Sequence, residues 1–224
     1  MRSGKIIVKS LHAWDVSVKE ALRLQHLIKS QVSAVDDLNH IEMIAGVDVN
    51  YGKKTGQAGV AVFSFPAMEL IESCSHLGEI TFPYMPGLFS FREIPLLIPA
   101  LEKVKNIPQL ILVDGHGIAH PSRLGIASHL GILMDIPTIG CAKSKFVGTF
   151  VDPLKTRGAY SFLYHGEDII GAVVRTRYNT TPLYVSIGHK ISLEKAIEVV
   201  LMCTGKYRLP DPLRFAHIIG KCHA

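Results

Sequence analysis

The sequence has no C-x-x-C pair; its four cysteines, Cys74, Cys141, Cys203 and Cys222, stand far apart. That excludes a zinc site of the usual spacing and gives no sign of a disulfide framework. Reduced, mostly buried thiols in a cytosol-like compartment are the expectation. Long apolar runs are missing as well. The longest, such as Leu96 to Leu101, contain proline and fall far short of a bilayer's thickness. The opening Met1-Arg2-Ser3-Gly4-Lys5 and Ile6-Ile7-Val8 give way to charge at Lys9, so no secretory apolar region forms. A soluble, cytoplasmic protein with no membrane partner is expected. Neither the lysine of a P-loop nor the glycine spacing of a dinucleotide fingerprint occurs. No internal repeat or low-complexity tract is visible.

What remains suits one packed domain over residues 1–224, with 48% apolar and 19% charged residues. Lys and Arg number 24 against 19 acids, a formal charge of +5. A mild basic excess fits a polyanionic partner without requiring one.

Helical spacing of Val18, Ala21, Leu22, Leu24 and Ile28 predicts a helix over 17–30. Apolar alternation predicts strands at 41–50, 59–65 and 68–77, the first ending in Asp48 and the last two joined through Pro66. Three strands in succession imply an antiparallel meander. A helix at 94–105, a buried strand at 109–115, a helix at 122–135 and a buried strand at 137–143 then imply a βαβ unit and parallel pairing. Strands at 159–164, 169–176 and 183–188 follow, then a helix at 192–203 capped by Ser192 and a short one at 213–220. The predicted fold is α/β: a mixed central sheet, meander plus βαβ, flanked by helices in the order of a ribonuclease H-like domain.

Asp48 and Asp114 each close an apolar stretch, VDV and LVDG. Either alone reads equally well as a turn residue. Neighbouring strands would bring both to one sheet end, where α/β proteins bind ligands. Two carboxylates crowded there repel unless a cation neutralises them, and Mg²⁺ suits such oxygen donors. Glu93 is a third acid; Ser90-Phe91-Arg92-Glu93 also matches a capping box, while a helix starting nearer Ile94 would leave Glu93 at its mouth. His116 and His120 stand in the glycine-bearing stretch 114–125 before a helix, where backbone can approach a ligand. Pro83-Tyr84-Met85-Pro86-Gly87 is a rigid turn with an apolar tip, readable as a packed turn or as a wedge for a base stack. Lys143 reads as a surface lysine or as a cation beside a phosphate. Arg92, Arg123, Lys145, Arg175 and Arg177 are candidates for a wider phosphate field.

The blocks GVDVNY (46–51), PYMPGLFSFRE (83–93), VDGHGIAHPSRLGIASHLG (113–131), GCAKSKF (140–146), IIGAVVRT (169–176), PLYVSIGHKIS (182–192) and LPDPLRFAH (209–217) together resemble the endonuclease V family, in order, over roughly residues 15–220. The resemblance implies a ribonuclease H-like nuclease that uses Mg²⁺ or Mn²⁺. Such an enzyme cuts the second phosphodiester bond 3′ to hypoxanthine, leaving 3′-hydroxyl and 5′-phosphate ends. It implies that Asp48, Glu93 and Asp114 bind metal, and that His120 and Lys143 act in the site. Tyr84, with Pro83, Met85 and Pro86, would form the wedge. Gly87, Gly115, Gly117 and Gly125 would build the base pocket.

Some positions depart from the family pattern. His116 stands where glutamine is usual, Ser122 where a basic residue is, and Phe89 and Phe146 where leucine is commoner, both expected at the pocket wall. His217 takes a place that is Asp in many relatives; it is expected to handle protons or support the metal site. DNA containing deoxyinosine is the expected partner of a monomer, with inosine RNA, or structured nucleic acid without hypoxanthine dependence, as alternatives.

Overall fold

The structure, a computed structural model, describes residues 5–38 and 40–221; Met1 to Gly4 and Cys222 of the sequence reading lie outside them. Cys74, Cys141 and Cys203 are free thiols. The order is α1 (Val18–Ile28), β1 (Met43–Tyr51), β2 (Thr55–Ser64), β3 (Leu70–Glu79), α2 (Phe89–Leu101), β4 (Leu110–Val113), α3 (Ile126–Met134), β5 (Thr138–Ala142), β6 (Tyr160–His165), β7 (Asp168–Val174), β8 (Leu183–His189), α4 (Leu193–Met202) and α5 (Asp211–Ile219). The strands form one sheet ordered β3-β2-β1-β4-β5-β8-β7-β6. β1 to β3 make the antiparallel meander, and β1, β4 and β5 run parallel through the βαβ crossover of α3. This is the expected α/β, ribonuclease H-like arrangement. No helix among the described residues is long and apolar enough to cross a membrane.

Strand periodicity distributes the core. Met43, Ala45, Val47 and Val49 of β1 join Ile111 and Val113 of β4 beneath α2 and α3. Ile44, Leu110 and Leu112 point the other way, into the layer under α4 and α5. Both faces are covered, so β4 and β5 are buried throughout, and the one polar side chain on them, Thr138, donates to the Ala127 carbonyl.

Two glycines decide where α5 lies. A Cβ on Gly46 would meet the Pro212 backbone at 2.2 Å, and one on Gly59 the Ala216 carbonyl oxygen at 2.1 Å. Bare backbone on β1 and β2 therefore lets α5 settle directly onto the strands, beside Asp48.

Four sequence expectations change. Asp48 does not end its strand: β1 continues to Tyr51, paired with β2 alone. It is the parallel ladder to β4 that stops, at Val47 opposite Val113, so Asp48 and Asp114 come next on neighbouring strands. Helix α2 starts at Phe89 with Leu88 as its unassisted N-cap, so Ser90 and Glu93 form no capping box and Glu93 lies inside the helix, not at its mouth. Pro95 and Pro99 lie within that helix; each removes a backbone donor, and burial of Phe91, Ile94 and Leu97 outweighs the loss. On α1, Leu22 is 55% exposed, whereas Gln25 is 2% exposed and belongs to the buried face.

Candidate active site

The end of the β1–β4 ladder carries the chemistry. The Asp114 amide donates to the Val47 carbonyl (3.2 Å), which holds the two strands in step as their acids emerge. Glu93 reaches the same region from α2, near enough for its charge to be felt by both aspartates. Each carboxylate has a protein partner. His217 Nδ1 lies 2.6 Å from Asp48 Oδ2, the Tyr51 hydroxyl donates to Glu93 Oε1 (2.5 Å), and the Lys143 ammonium pairs with Asp114 Oδ2. Asn50 donates to Asp48 (3.3 Å) and to the His217 carbonyl (3.1 Å), tying α5 to β1.

Electrostatics mark the trio as short of positive charge. Burial first, then repulsion from Asp48 and Asp114, pushes the Glu93 carboxyl up to about 8 against the pull of the Tyr51 hydroxyl. Burial and Asp48 push Asp114 up to about 6, although Lys143 pulls it down. A divalent cation supplies what is missing: the donors are hard oxygens, and their repulsion is what a cation relieves. The residues present fit such an ion, and Asp48, Glu93 and Asp114 could hold it. As the side chains stand, no three His, Cys, Asp or Glu groups among the described residues surround a common point. One oxygen of each carboxylate meets its protein partner: Asp48 Oδ2, Glu93 Oε1 and Asp114 Oδ2.

Beside the trio lies a cavity of about 340 Å³, with Glu93, Asp114 and Lys143 on its wall. Gly87, Gly115 and Gly125 line it, as do Phe89 and Phe146. Gly117 does not; it packs under β8, where its amide donates to Ser186 Oγ (2.9 Å) and a Cβ would strike the Ile187 carbonyl. His116 and His120 stand against the Phe146 ring, at 6.1 and 5.2 Å between centroids. Burial pulls both imidazoles down to about 4, so both are neutral at pH 7. His120 Nδ1 accepts from the Ser122 amide (3.2 Å), which ties Ser122 to the His120 ring.

At the cavity rim, Met85 to Leu88 form a tight turn closed by Leu88 N–H to Met85 C=O (3.0 Å). Pro86 presets its second position and Gly87, at φ +85°, takes the third, as a type II turn demands. The preceding Tyr84 is 66% exposed, its ring edge-on to Phe89 at 5.4 Å.

The cationic field is smaller than expected. Arg175 is bound to the carbonyls of Pro153, Leu154 and Thr180, and Arg177 to those of Gly205 and Lys206, so both serve loop structure. Arg123 pairs with Asp168 (2.9 Å). Lys145 remains on the cavity wall. Residues the sequence reading passed over take their place. Arg208 donates to the Lys143 carbonyl (3.2 Å), and its guanidinium, pulled down by burial, is pulled back up by Asp114. Tyr51 closes the quoted GVDVNY block, and strand reach from Asp48 was the available signal. Gln25 offered no signal except its helical phase with Ala21 and Ile28. Its amide donates to Gly87 C=O (2.7 Å) and Leu124 C=O (3.3 Å), joining the rim turn to the opposite cavity wall.

Comparison with known proteins agrees with this geometry. The family model described as Endonuclease V matches residues 26–218. An endonuclease V of Dehalococcoides mccartyi is 48% identical over 213 residues, covering 94% of this chain and 96% of its own. The crystal structure of endonuclease V from Streptomyces avermitilis superposes with a TM-score of 0.87 at 35% identity, over 96% of this chain and 95% of its own. That of the Ciona intestinalis endonuclease V, in complex with a 23mer DNA containing an inosine followed by a ribo-adenosine, gives 0.76 at 26% identity, over 92% and 97%. Family membership implies a divalent-metal-dependent nuclease. With a family model spanning most of the chain and a relative nearly half identical along almost its whole length, this protein belongs to the endonuclease V family.

Proposed function

We propose that this protein is a DNA-repair endonuclease for deaminated adenine. It recognises deoxyinosine and hydrolyses the second phosphodiester bond on its 3′ side, leaving 3′-hydroxyl and 5′-phosphate ends. It works as a cytoplasmic monomer, one domain over residues 1–224, with Mg²⁺, for which Mn²⁺ substitutes. One observation carries the reading: carboxylates from β1, α2 and β4 stand within electrostatic reach of one another, and two of them, Glu93 and Asp114, line a cavity large enough for a single extruded base. The inosine-bearing DNA bound by the Ciona relative supports the choice of substrate.

Asp48, Glu93 and Asp114 hold the metal. When bound, the cation lowers the pKa of the attacking water and offsets charge on the phosphate in an in-line displacement. Lys143 leaves Asp114 for the phosphate and adds positive charge there. His217, on Asp48, orients that carboxylate; His120, neutral beside Phe146, walls the base cavity and offers a hydrogen-bonding group without charge. Tyr84, on its Pro83–Pro86 turn, fills the gap left in the stack as hypoxanthine swings out. Gly87, Gly115 and Gly125 present backbone to the base. Hypoxanthine brings a carbonyl and an N–H where adenine has an amino group and a bare nitrogen. Mismatching such a buried group costs about 1–3 kcal/mol, a discrimination of roughly 5- to 150-fold each.

Matched oligonucleotides test the reading: deoxyinosine DNA, inosine RNA and adenine controls, each with Mg²⁺ or a chelator. Metal-dependent cuts one nucleotide beyond the lesion in deoxyinosine DNA are expected. Equal cutting of adenine controls would overturn hypoxanthine dependence, and exclusive cutting of RNA would reassign the substrate. The same assay examines Gln25. Gln25→Leu frees the carbonyls of Gly87 and Leu124 and should lower selectivity for hypoxanthine over adenine about tenfold. Unchanged selectivity would show that the rim turn holds itself.

A further inference from the structure

The segment from Pro83 to Gly87 borders two hollows: Gly87 lines the base cavity, and Pro83 lines a separate cleft of about 520 Å³ together with Lys53, Lys54, Glu79, Phe82 and Arg92. The two hollows share no lining residue. Adjacent residues of α2 divide between them: Glu93 faces the cavity and Arg92 the cleft.

We propose that this cleft binds backbone phosphate of the nucleic acid that flanks the extruded base, at the Pro83 end of the wedge. Three cations line it against one acid, and among the described residues none of the three has a carboxylate within ion-pairing distance. Arg92 is set in advance. Its Nη1 donates to the Phe82 carbonyl (2.5 Å), and its guanidinium lies 5.0 Å from the Tyr51 ring centroid. A cation already held in place loses little freedom on taking up an anion. The lysines sit at the tip of the β1–β2 hairpin, which is fixed on both sides. Gly52 N–H donates to Thr55 C=O (2.8 Å), and Ile80 N–H to Lys54 C=O (3.0 Å). Concave shape, unpaired positive charge and fixed backbone suit a phosphodiester, with Lys53, Lys54 and Arg92 standing beside the apolar Ile80, Phe82 and Pro83 of the same cleft. The position suits it too. A strand carries one charge per about 3.4 Å of duplex axis. Backbone running from the carboxylate trio past the wedge thus reaches Arg92 within the next few phosphates.

The proposal rests on the nucleic-acid-cutting reading, and its test separates the two. Binding of inosine-bearing and inosine-free duplexes is measured across a salt series with Ca²⁺ in place of Mg²⁺, for the wild type and Lys53→Ala/Lys54→Ala. Each lost phosphate contact should reduce the slope of log K against log salt by about 0.9, so the double variant should lose about 1–2. Affinity should fall about tenfold for both duplexes alike, while kcat with Mg²⁺ at saturating inosine DNA stays within about twofold. An unchanged slope on both duplexes would overturn the cleft, as would a wild type that binds neither. A wild type that binds duplex but cuts no inosine would overturn the function instead, and the inosine-free duplex would still judge the cleft.

Discussion

Asp114→Asn is expected to lower kcat on deoxyinosine DNA by at least about 10²–10³-fold while leaving the protein folded and able to bind DNA. Loss of a single preorganised group that stabilises transition-state charge costs about that much in other enzymes. Here the carboxylate is also one of the three proposed to hold the metal. The stability arm of the prediction is less obvious. Burial and the neighbouring Asp48 push Asp114 up to about 6, so at pH 7.5 its charge is held in the folded state at a cost. Asparagine removes that cost and keeps the shape. What it gives up is an ion pair in which Asp114 is 12% and Lys143 48% exposed; the exposed ammonium turns to solvent once the charge is gone, so no buried cation is stranded. In chelator at pH 7.5 the variant should therefore melt no lower than the wild type, the usual sign of a group kept for activity rather than stability. Retention of a tenth or more of wild-type kcat would remove Asp114 from the metal-binding trio.

Removing divalent cations should make the protein lose thermal stability as pH rises from 7 to 8.5. Glu93 is raised from an ordinary 4.5 to about 8, and Asp114 from 3.8 to about 6, burial being the first cause of each. The folded state thus holds these protons more tightly than the unfolded chain. The stability they contribute is complete below their ordinary values and is lost as pH climbs through the raised ones. Buried histidines work in the opposite direction at lower pH. His116 and His120 are depressed to about 4 and His129 to about 3, so they lower stability as pH falls below 6.5. Above pH 7 all three are nearly neutral whether folded or not, which leaves Glu93 as the chief carboxyl that titrates; the raised thiols of Cys74, Cys141 and Cys203 add loss of stability in the same direction above pH 8.

Bound cation needs the ionised carboxylates, so its affinity rises with pH and its binding releases protons. The gap in Tm with and without saturating Mg²⁺ should consequently widen between pH 7 and 8.5, and Glu93→Gln should flatten that widening. A gap constant across the range would mean that Glu93 is not linked to the metal. Calorimetric titration offers a second readout: proton release per metal should approach one near pH 7 and decline toward pH 9 as Glu93 loses its proton beforehand.

Much of this site was legible along the chain because its parts are local. VDV and LVDG mark strand residues by apolar neighbours around an acid, and the two acids come next on neighbouring strands where the parallel ladder stops. Pro86-Gly87 announces a turn by the backbone geometry those two residues favour. The limits are equally physical. Ser90-Phe91-Arg92-Glu93 has the letters of a capping box, yet burial of Phe91 pulls the helix start back to Phe89 and leaves Ser90 inside it. Arg175 and Arg177 look like free cations in a list of residues. Folding brings loop carbonyls around them, and a guanidinium with several donors satisfies carbonyls as readily as phosphates. Gln25 is the reverse case, a polar residue on a helix whose apolar pattern hides it.

By itself the sequence determined the kinds and order of the elements, the meander followed by βαβ, and the three acids, because each depends on short-range periodicity and on residue type. Only the tertiary structure decided who meets whom. His217 reaches Asp48 across 169 positions because Gly46 and Gly59 let α5 lie on bare backbone. Tyr51 reaches Glu93 because β1 outruns its parallel neighbour and α2 begins early. Gln25 holds Gly87 because α1 packs against the rim of the cavity. Such pairings are set by the packing of faces between distant segments, and no local pattern encodes that distance.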